Sequence, residues 1–262
     1  MRDTARHAAP YADRMPPSTV ADVLSALQPE PGRPRLTWYG PDGERVELSG
    51  TVLDNWVTKT ANLLVEELDA GPGTRVSLDL PPHWRTLVWA LATWRVGACV
   101  ELLGAGGSGA DVVVTHRPGS TAGGPPVVAV PLAALARRFD GDLPAGALDA
   151  AAAVMTYGDA LGWTPPRDGA APAVAATAGV VDHDGLLGWA AGSSGAPLGA
   201  RTLLRLPTSG HDTAGFLRAA LDVLAGEGSV VVVTAGADGS DDARVDRIVE
   251  TERVTALSGT TG

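Results

Sequence analysis

Three glycine-rich stretches hold the residue types that could cradle a phosphate. In Gly192-Ser193-Ser194-Gly195-Ala196-Pro197-Leu198-Gly199, glycines let backbone N–H groups turn toward phosphate oxygens and hydroxyls add donors. Leu198 stands where a lysine would add charge. Ser193, Ser194 and Gly195 are the candidate ligand-binding residues of this stretch. Ser258-Gly259-Thr260-Thr261-Gly262 is similar in letters, but no helix follows it to supply an N-terminal dipole. Gly104-Ala105-Gly106-Gly107-Ser108-Gly109 is a literal G-x-G-x-x-G. A dinucleotide fingerprint needs a helix next, and Asp111-Val112-Val113-Val114-Thr115 reads as a strand, so this run is a surface connection.

Other chemistries find less support. The five histidines, His7, His83, His116, His183 and His211, show no paired spacing suited to a metal, and the single cysteine gives no thiolate cluster, so no metal site is expected. Cys99, in the apolar run VGACVELL, reads as a buried small side chain. Ser209, His211 and Asp212 are the types of a hydrolase triad, but residues this close in one loop rarely reach its geometry, and no G-x-S-x-G elbow exists. His211 remains a candidate ligand-binding residue. Lys59 is the only lysine beside nineteen arginines, so any chemistry that needs an ammonium group has one place to find it.

With 262 residues and 45% hydrophobic composition, the chain can bury a core as one large or two smaller domains. A net charge of −10 argues against nucleic acid or an anionic membrane surface as partner. No apolar stretch reaches membrane-spanning length and the N-terminal residues lack the apolar core of a secretion signal, so a cytoplasmic location is expected.

The elements that must position these residues follow from periodicity. Arg35 to Tyr39 and Arg45 to Leu48, around Pro41-Asp42-Gly43-Glu44, predict a hairpin. Ser49 or Thr51 caps a helix with Leu53, Trp56, Val57, Thr60, Leu64 and Leu68 on its buried face, stopped at Gly71-Pro72-Gly73. Arg75 to Leu80 reads as a strand. Trp84 to Val96 reads as an amphipathic helix, and Ala98 to Leu103 as a strand parallel to the first. Further core strands are expected at Val112 to Val114 and Val127 to Val130, a helix at Pro131 to Arg138, a short edge strand at Met155-Thr156-Tyr157 and a turn at Thr156 to Asp159. Divided along the chain, residues 1–17 form a polar tail, 18–139 a first α/β subdomain, 140–172 an Ala/Gly/Pro-rich connection and 173–262 a second, partial α/β subdomain.

The hairpin, the long helix, GPGTRVSLDLPP, the Trp-rich helix and GACVELL, followed by the block from Gly179 to Val233 and by DDARVDRIVETERVTAL, resemble in order the N-terminal subdomains of adenylate-forming enzymes: acyl-CoA synthetases, luciferases and peptide-synthetase adenylation domains. The resemblance implies a three-layer αβα fold with a mostly parallel sheet, in which Val76, Leu78, Val112 to Val114 and Val230 to Val232 are central.

It also implies a site that this chain departs from. The family's phosphate loop, rich in glycine and hydroxyls and ending Pro-Lys-Gly, precedes a Gly-Val-x-x-x-His segment. Gly179-Val180-Val181-Asp182-His183 matches that segment, which places the loop at Ala171 to Ala178, where only Thr177 carries a hydroxyl. The expectation is a phosphate loop that has been erased, with Thr177 and His183 as its remaining candidates. Gly192 to Gly199, a few residues before the strand end Leu206-Pro207, lies where the family has a turn, so the resemblance implies a turn there. The family's magnesium-binding glutamate, ribose-binding aspartate and mobile lysine-bearing domain are expected beyond the point matching Gly262. No catalytic residue is therefore assigned. The expected function is that of a half-length, degenerate relative, incompetent alone, which binds a small acyl or nucleotide ligand or a protein partner that completes the fold. The alternatives are an acid-activating ligase fragment that uses ATP and magnesium with a partner polypeptide, and a purely structural subunit.

Overall fold

The structure is a computed structural model that describes residues 15–40, 43–102, 109–119, 124–134, 136–206, 212–234 and 241–258. A capping box opens it: Asp22 N–H donates to Thr19 Oγ1 while the Asp22 carboxylate accepts from the Thr19 backbone, starting α1 (Val20–Ala26). β1 (Pro34–Tyr39) and β2 (Arg45–Ser49) pair antiparallel as the sequence predicts. Ser49 then caps α2 (Gly50–Leu68) through a bond from Val52 N–H. Gly50 has no room for a side chain, since a Cβ there would lie 2.4 Å from the Leu27 carbonyl oxygen. The helix ends on Asp69 in the left-handed conformation rather than on a glycine. Aspartate tolerates that region better than most residues.

β3 (Arg75–Asp79), α3 (Trp84–Arg95) and β4 (Cys99–Glu101) make a parallel crossover unit. β5 (Val112–Thr115), β6 (Val127–Ala129), β7 (Leu148–Asp149), α4 (Ala150–Val154), β8 (Pro172–Ala176), β9 (Gly179–Asp182) and α5 (Leu186–Ala190) follow. β10 (Arg201–Leu206), α6 (Thr213–Ala225), β11 (Ser229–Thr234), α7 (Asp241–Thr251) and β12 (Ala256–Leu257) complete the described elements.

Among the described residues the strands form two sheets where the sequence suggests one. One has the order β12-β10-β11-β1-β2, the other β7-β6-β5-β3-β4-β8-β9. Each is parallel except for one antiparallel edge strand, β2 in the first and β9 in the second. Val230 and Val232 of β11 face the main core while Val231 and Val233 face Leu203 and Ile248, so helices cover the five-stranded sheet on both sides, giving the αβα layering. The expected strand centres hold: β3 lies mid-sheet in the larger sheet beside β5, and β11 mid-sheet in the smaller. Sheet membership crosses the division at residues 140–172, because β1 and β2 pair into the sheet of β10 to β12 while β8 and β9 extend the sheet of β3 to β7.

The helix α3 is buried all round rather than amphipathic: every residue but Arg95 is out of solvent. It packs on β3 and β4 of one sheet and on β1 of the other, so both of its faces meet protein. Two of its hydroxyls are satisfied locally, Thr86 donating to the Pro81 carbonyl and Thr93 to that of Trp89, while Trp84 Nε1 and Arg85 Nε are buried without a hydrogen-bond partner and the Arg85 guanidinium stacks 4.4 Å from the Trp84 ring.

Two short elements differ from expectation. The described residues of 131–138 form no helix; Ala134 N–H is taken by the Glu44 carboxylate, which ties the segment to the hairpin instead. Met155-Thr156-Tyr157 is a turn that closes α4, not a strand, and Leu148–Asp149 supplies the edge because the Asp149 carboxylate caps α4 there. Thr156 to Asp159 is bent chain, in keeping with its reading as a turn.

Candidate functional site

The glycine-serine run forms a turn whose inward-pointing amides are taken by the chain's own carboxylate. Asp222, on α6, accepts from Gly192 N–H at 3.0 Å and from Ser194 N–H at 2.9 Å, and the Ser194 hydroxyl reaches the same oxygen at 2.5 Å. Positive φ at Gly192 and Gly195, 75° and 63°, gives the curvature that points these amides inward. Such concave amide groups bind anions, and here the anion is internal. Ser194 is buried, Ser193 Oγ is buried without a partner, and Leu198 is 88% exposed.

The stretch read as an erased phosphate loop is no loop. Pro172–Ala176 is strand β8, paired antiparallel with β9, and only Thr177-Ala178 remain as an exposed two-residue turn. Gly179 to Asp182 is correspondingly a strand, and the helix expected to open there starts at Leu186. Thr177 and His183 thus sit at opposite ends of β9, and the structure does not bring them together. His211, Ser209 and most of the Gly104 to Gly109 and Ser258 to Gly262 runs lie outside the described residues.

His183 instead lines a cavity of about 440 Å³. The cavity opens at the amino edge of the larger sheet, because Gly97 precedes β4, Arg167 precedes β8, and β9 runs antiparallel so that His183 returns to the same edge. Trp94 and Val96 from the end of α3, Leu186 and Leu187 from α5, and Leu161, Pro165 and Pro166 from the proline-rich connection make its walls. Trp94 is fixed by a 2.9 Å bond from its indole N–H to the Ala173 carbonyl. The connection is held over the site by α2: Asn62 donates to the Gly158 and Ala160 carbonyls and accepts from Gly162 N–H, and Lys59 Nζ meets the Tyr157 carbonyl at 2.6 Å and the Asp159 carboxylate at 2.8 Å.

Charge at the cavity is already balanced. Arg95 bonds Asp54 at 2.6 Å and Thr58 at 3.0 Å, and Arg167 meets Asp184 at 2.5 Å. Burial holds the His183 imidazole below its ordinary range, against backbone hydrogen bonding at Gly97 and Ala98 that works to raise it. Its Nε2 is buried with no hydrogen-bond partner. Of the hydroxyls that line the site, those of α1 are engaged in its cap, Ser18 Oγ donating to Asp22 and Thr19 Oγ1 accepting from Asp22 N–H, and Thr164 adds a third. The arrangement can bind, but it sets no activated nucleophile beside a base.

Ligands of open α/β sheets usually sit outside the carboxyl ends of the strands. There Asp79 is surrounded by its own neighbours: Thr115 Oγ1 donates to it at 2.7 Å, Arg117 Nη2 lies 3.4 Å away and His116 Nδ1 lies 3.1 Å from its carbonyl oxygen. Cys99 is buried, as expected, and burial raises its thiol to about 11, which leaves it protonated and inert. Among the described residues, no three His, Cys, Asp or Glu side chains are grouped to hold a metal ion, and no helix is long and apolar enough to cross a membrane. Asp222 and the cavity escape sequence reading. The T-x-x-D signature of α1 was legible at Thr19 to Asp22 and marks the one missed helix that borders the cavity.

No family model matches the chain. Its fold is similar to that of a crystallised acyl-CoA synthetase of Brucella canis, with a TM-score of 0.66 and 20% identity, over 91% of this chain and 49% of that one. The chain therefore spans about half the length of that synthetase. In sequence it is 33% identical over 253 residues to a TIGR03089 family protein of Mycobacterium tuberculosis, a match that covers 92% of this chain and 98% of that protein. Matched along nearly the whole of that relative, the chain belongs to the TIGR03089 family.

Proposed function

We propose that this protein uses an acyl-CoA synthetase-like fold for binding, of a small ligand or of a protein partner, and does not activate an acid by itself. The occupation of the glycine-serine cradle by Asp222 carries this reading. Adenylation needs amide donors and cationic groups placed on the ATP phosphates while a carboxylate attacks. A carboxylate bonded to those amides both consumes the donors and repels the polyphosphate. The second candidate stretch offers one exposed hydroxyl, that of Thr177, in a two-residue turn. Were ATP and magnesium used at all, Thr177, Ser193, Ser194 and Gly195 are the residues the sequence offers for the phosphates, and the structure has two of them, Ser194 and Gly195, in a turn built around Asp222.

The test is carboxylate-dependent exchange of pyrophosphate into ATP by the purified chain, together with calorimetric titration of Mg-ATP. No exchange above background and no sub-micromolar binding are expected, since each missing electrostatic contact costs about 10²–10³ in rate. Exchange by the chain alone overturns the proposal. Exchange that appears only on adding the product of an adjacent gene favours the acid-activating fragment completed by a partner.

A further inference from the structure

We propose that the cavity at the amino edge of the larger sheet is the contact face of a symmetric dimer, in which Trp163 of each copy of the chain fills the mouth of the other copy's cavity. This goes beyond the proposed function, because self-association holds whether or not the chain activates an acid.

The proline-rich strap supplies both halves of such a contact. Trp163 is 73% exposed and lines no part of its own cavity, although Leu161 and Thr164 on either side of it do. A tryptophan in water next to an apolar recess is a knob beside an unfilled hole. The recess, about 440 Å³, has room for an indole, since sites of about 300–1,000 Å³ take larger molecules than that. Because knob and hole lie side by side on one chain, two copies related by a two-fold axis satisfy both at once. The two straps then cross antiparallel near Thr164. Trp163 of each copy meets Pro165 and Pro166 of the other, the pairing that aromatic grooves use for proline-rich segments.

The surroundings fit a second copy. Residues 163–167 make no backbone–backbone hydrogen bond among the described residues, so their amides and carbonyls are open to a neighbour. Pro165 and Pro166 have fixed φ, and Asn62 and Lys59 hold the start of the strap, so Trp163 is presented on stiff chain and little entropy is lost when it docks. Met15, 92% exposed just before the lining Ser18, extends the apolar surface around the mouth. The rim carries both signs of charge: the Arg167 and Asp184 side chains are 46% and 68% exposed, and an identical copy presents the opposite charge to each. Two buried tryptophans remove roughly 300–500 Å² from water. The prolines, Met15 and the rim must supply the rest of the roughly 1,000 Å² that a specific interface needs, which makes this dimer a weak one.

Sedimentation velocity of the full chain from about 1 to 300 μM spans the range in which a weak complex assembles. The mass should rise from 26.6 kDa toward twice that value. Trp163→Ala changes an exposed side chain, so the fold should be retained, and it should raise the dissociation constant at least about tenfold. Leu187→Trp fills the hole and leaves the knob in water, so it should weaken assembly as much, which a merely adhesive tryptophan would not require. Pro166→Glu, at another exposed position, puts a charge under the ring of the other copy and should act likewise. Urea midpoints close to that of the unsubstituted chain establish that the variants fold. A single 26.6 kDa species at every concentration, or undiminished assembly by folded Trp163→Ala or Pro166→Glu, overturns the proposal. A monomeric chain leaves the proposed function standing, whereas pyrophosphate exchange by the chain removes that function and leaves the dimer untouched.

Discussion

Asp222 shows how one side chain can convert a ligand loop into a structural turn. Its two oxygens receive the Gly192 and Ser194 amides and the Ser194 hydroxyl, and they anchor the segment between α5 and β10 to α6. Asp222→Ala leaves the part-buried amide and hydroxyl of Ser194 unpaired, at about 1–3 kcal/mol each, while the exposed Gly192 amide can turn to water. A drop of a few kcal/mol in urea denaturation is expected, against about 1 kcal/mol for Ser194→Ala, which removes one donor to Asp222 and the acceptor of Ala196 N–H. An unchanged midpoint for Asp222→Ala would show that the turn forms without its carboxylate.

The proline-rich connection depends on α2 in a similar way. Between Tyr157 and Gly162 its backbone makes few bonds of its own, and Asn62 supplies three contacts while Lys59 supplies two more. The single lysine of the chain is thus spent on holding a strap. Asn62→Ala should release that strap while the sheets stay intact: hydrogen exchange or limited proteolysis should accelerate across residues 157–167, with only a modest fall in global stability. Acceleration spread evenly over β3 and β4 would instead mean that Asn62 supports the core.

In the molecule as a whole, two sheets share one helical layer, and the seam between them carries a buried titratable group. His83 caps α3 by accepting from Arg85 N–H, with its ring 4.4 Å from Trp38 of the smaller sheet. Burial, and then the nearby Arg85 charge, lowers its imidazole from 6.5 to about 3. The unfolded chain therefore binds this proton more readily than the folded one. Stability is complete above pH 6.5 and is lost as pH falls toward 3, by at most about 1.4 kcal/mol per pH unit. His183, also depressed, acts in the same direction. Burial opposes the charge of Glu252, but bonds from Tyr39, Arg45 and Arg201 outweigh it and hold its carboxyl below its ordinary 4.5, so its share is present above pH 4.5 and is lost as pH falls below that value. His83→Asn retains a capping acceptor without the titration. It should flatten the decline between about pH 6 and 4.5 in denaturation series and spare the more acid step; an unaltered slope would place the proton elsewhere.

Much of this was readable from the residues alone. Hydrophobic period, caps and breakers located the hairpin, α2, α3 and the strands at Val76 and Val112, because those signals act within a few residues of the chain, while α6 followed only from the resemblance of the block from Gly179 to Val233. The order of the blocks pointed to the fold that the synthetase likeness shows. What the residues could not convey is which surfaces meet. That β11 pairs with β1 rather than joining the sheet of β3, and that α3 is enclosed by two sheets, depend on partners far apart in sequence. The loop at Gly192 to Gly199 has the composition of an anion cradle, and the chain folds it as a turn. Its occupant, thirty residues on at Asp222, and the company of His183 at the amino edge were decided only when helix and sheet packed together, since a hydrogen bond depends on distance in space and not along the chain.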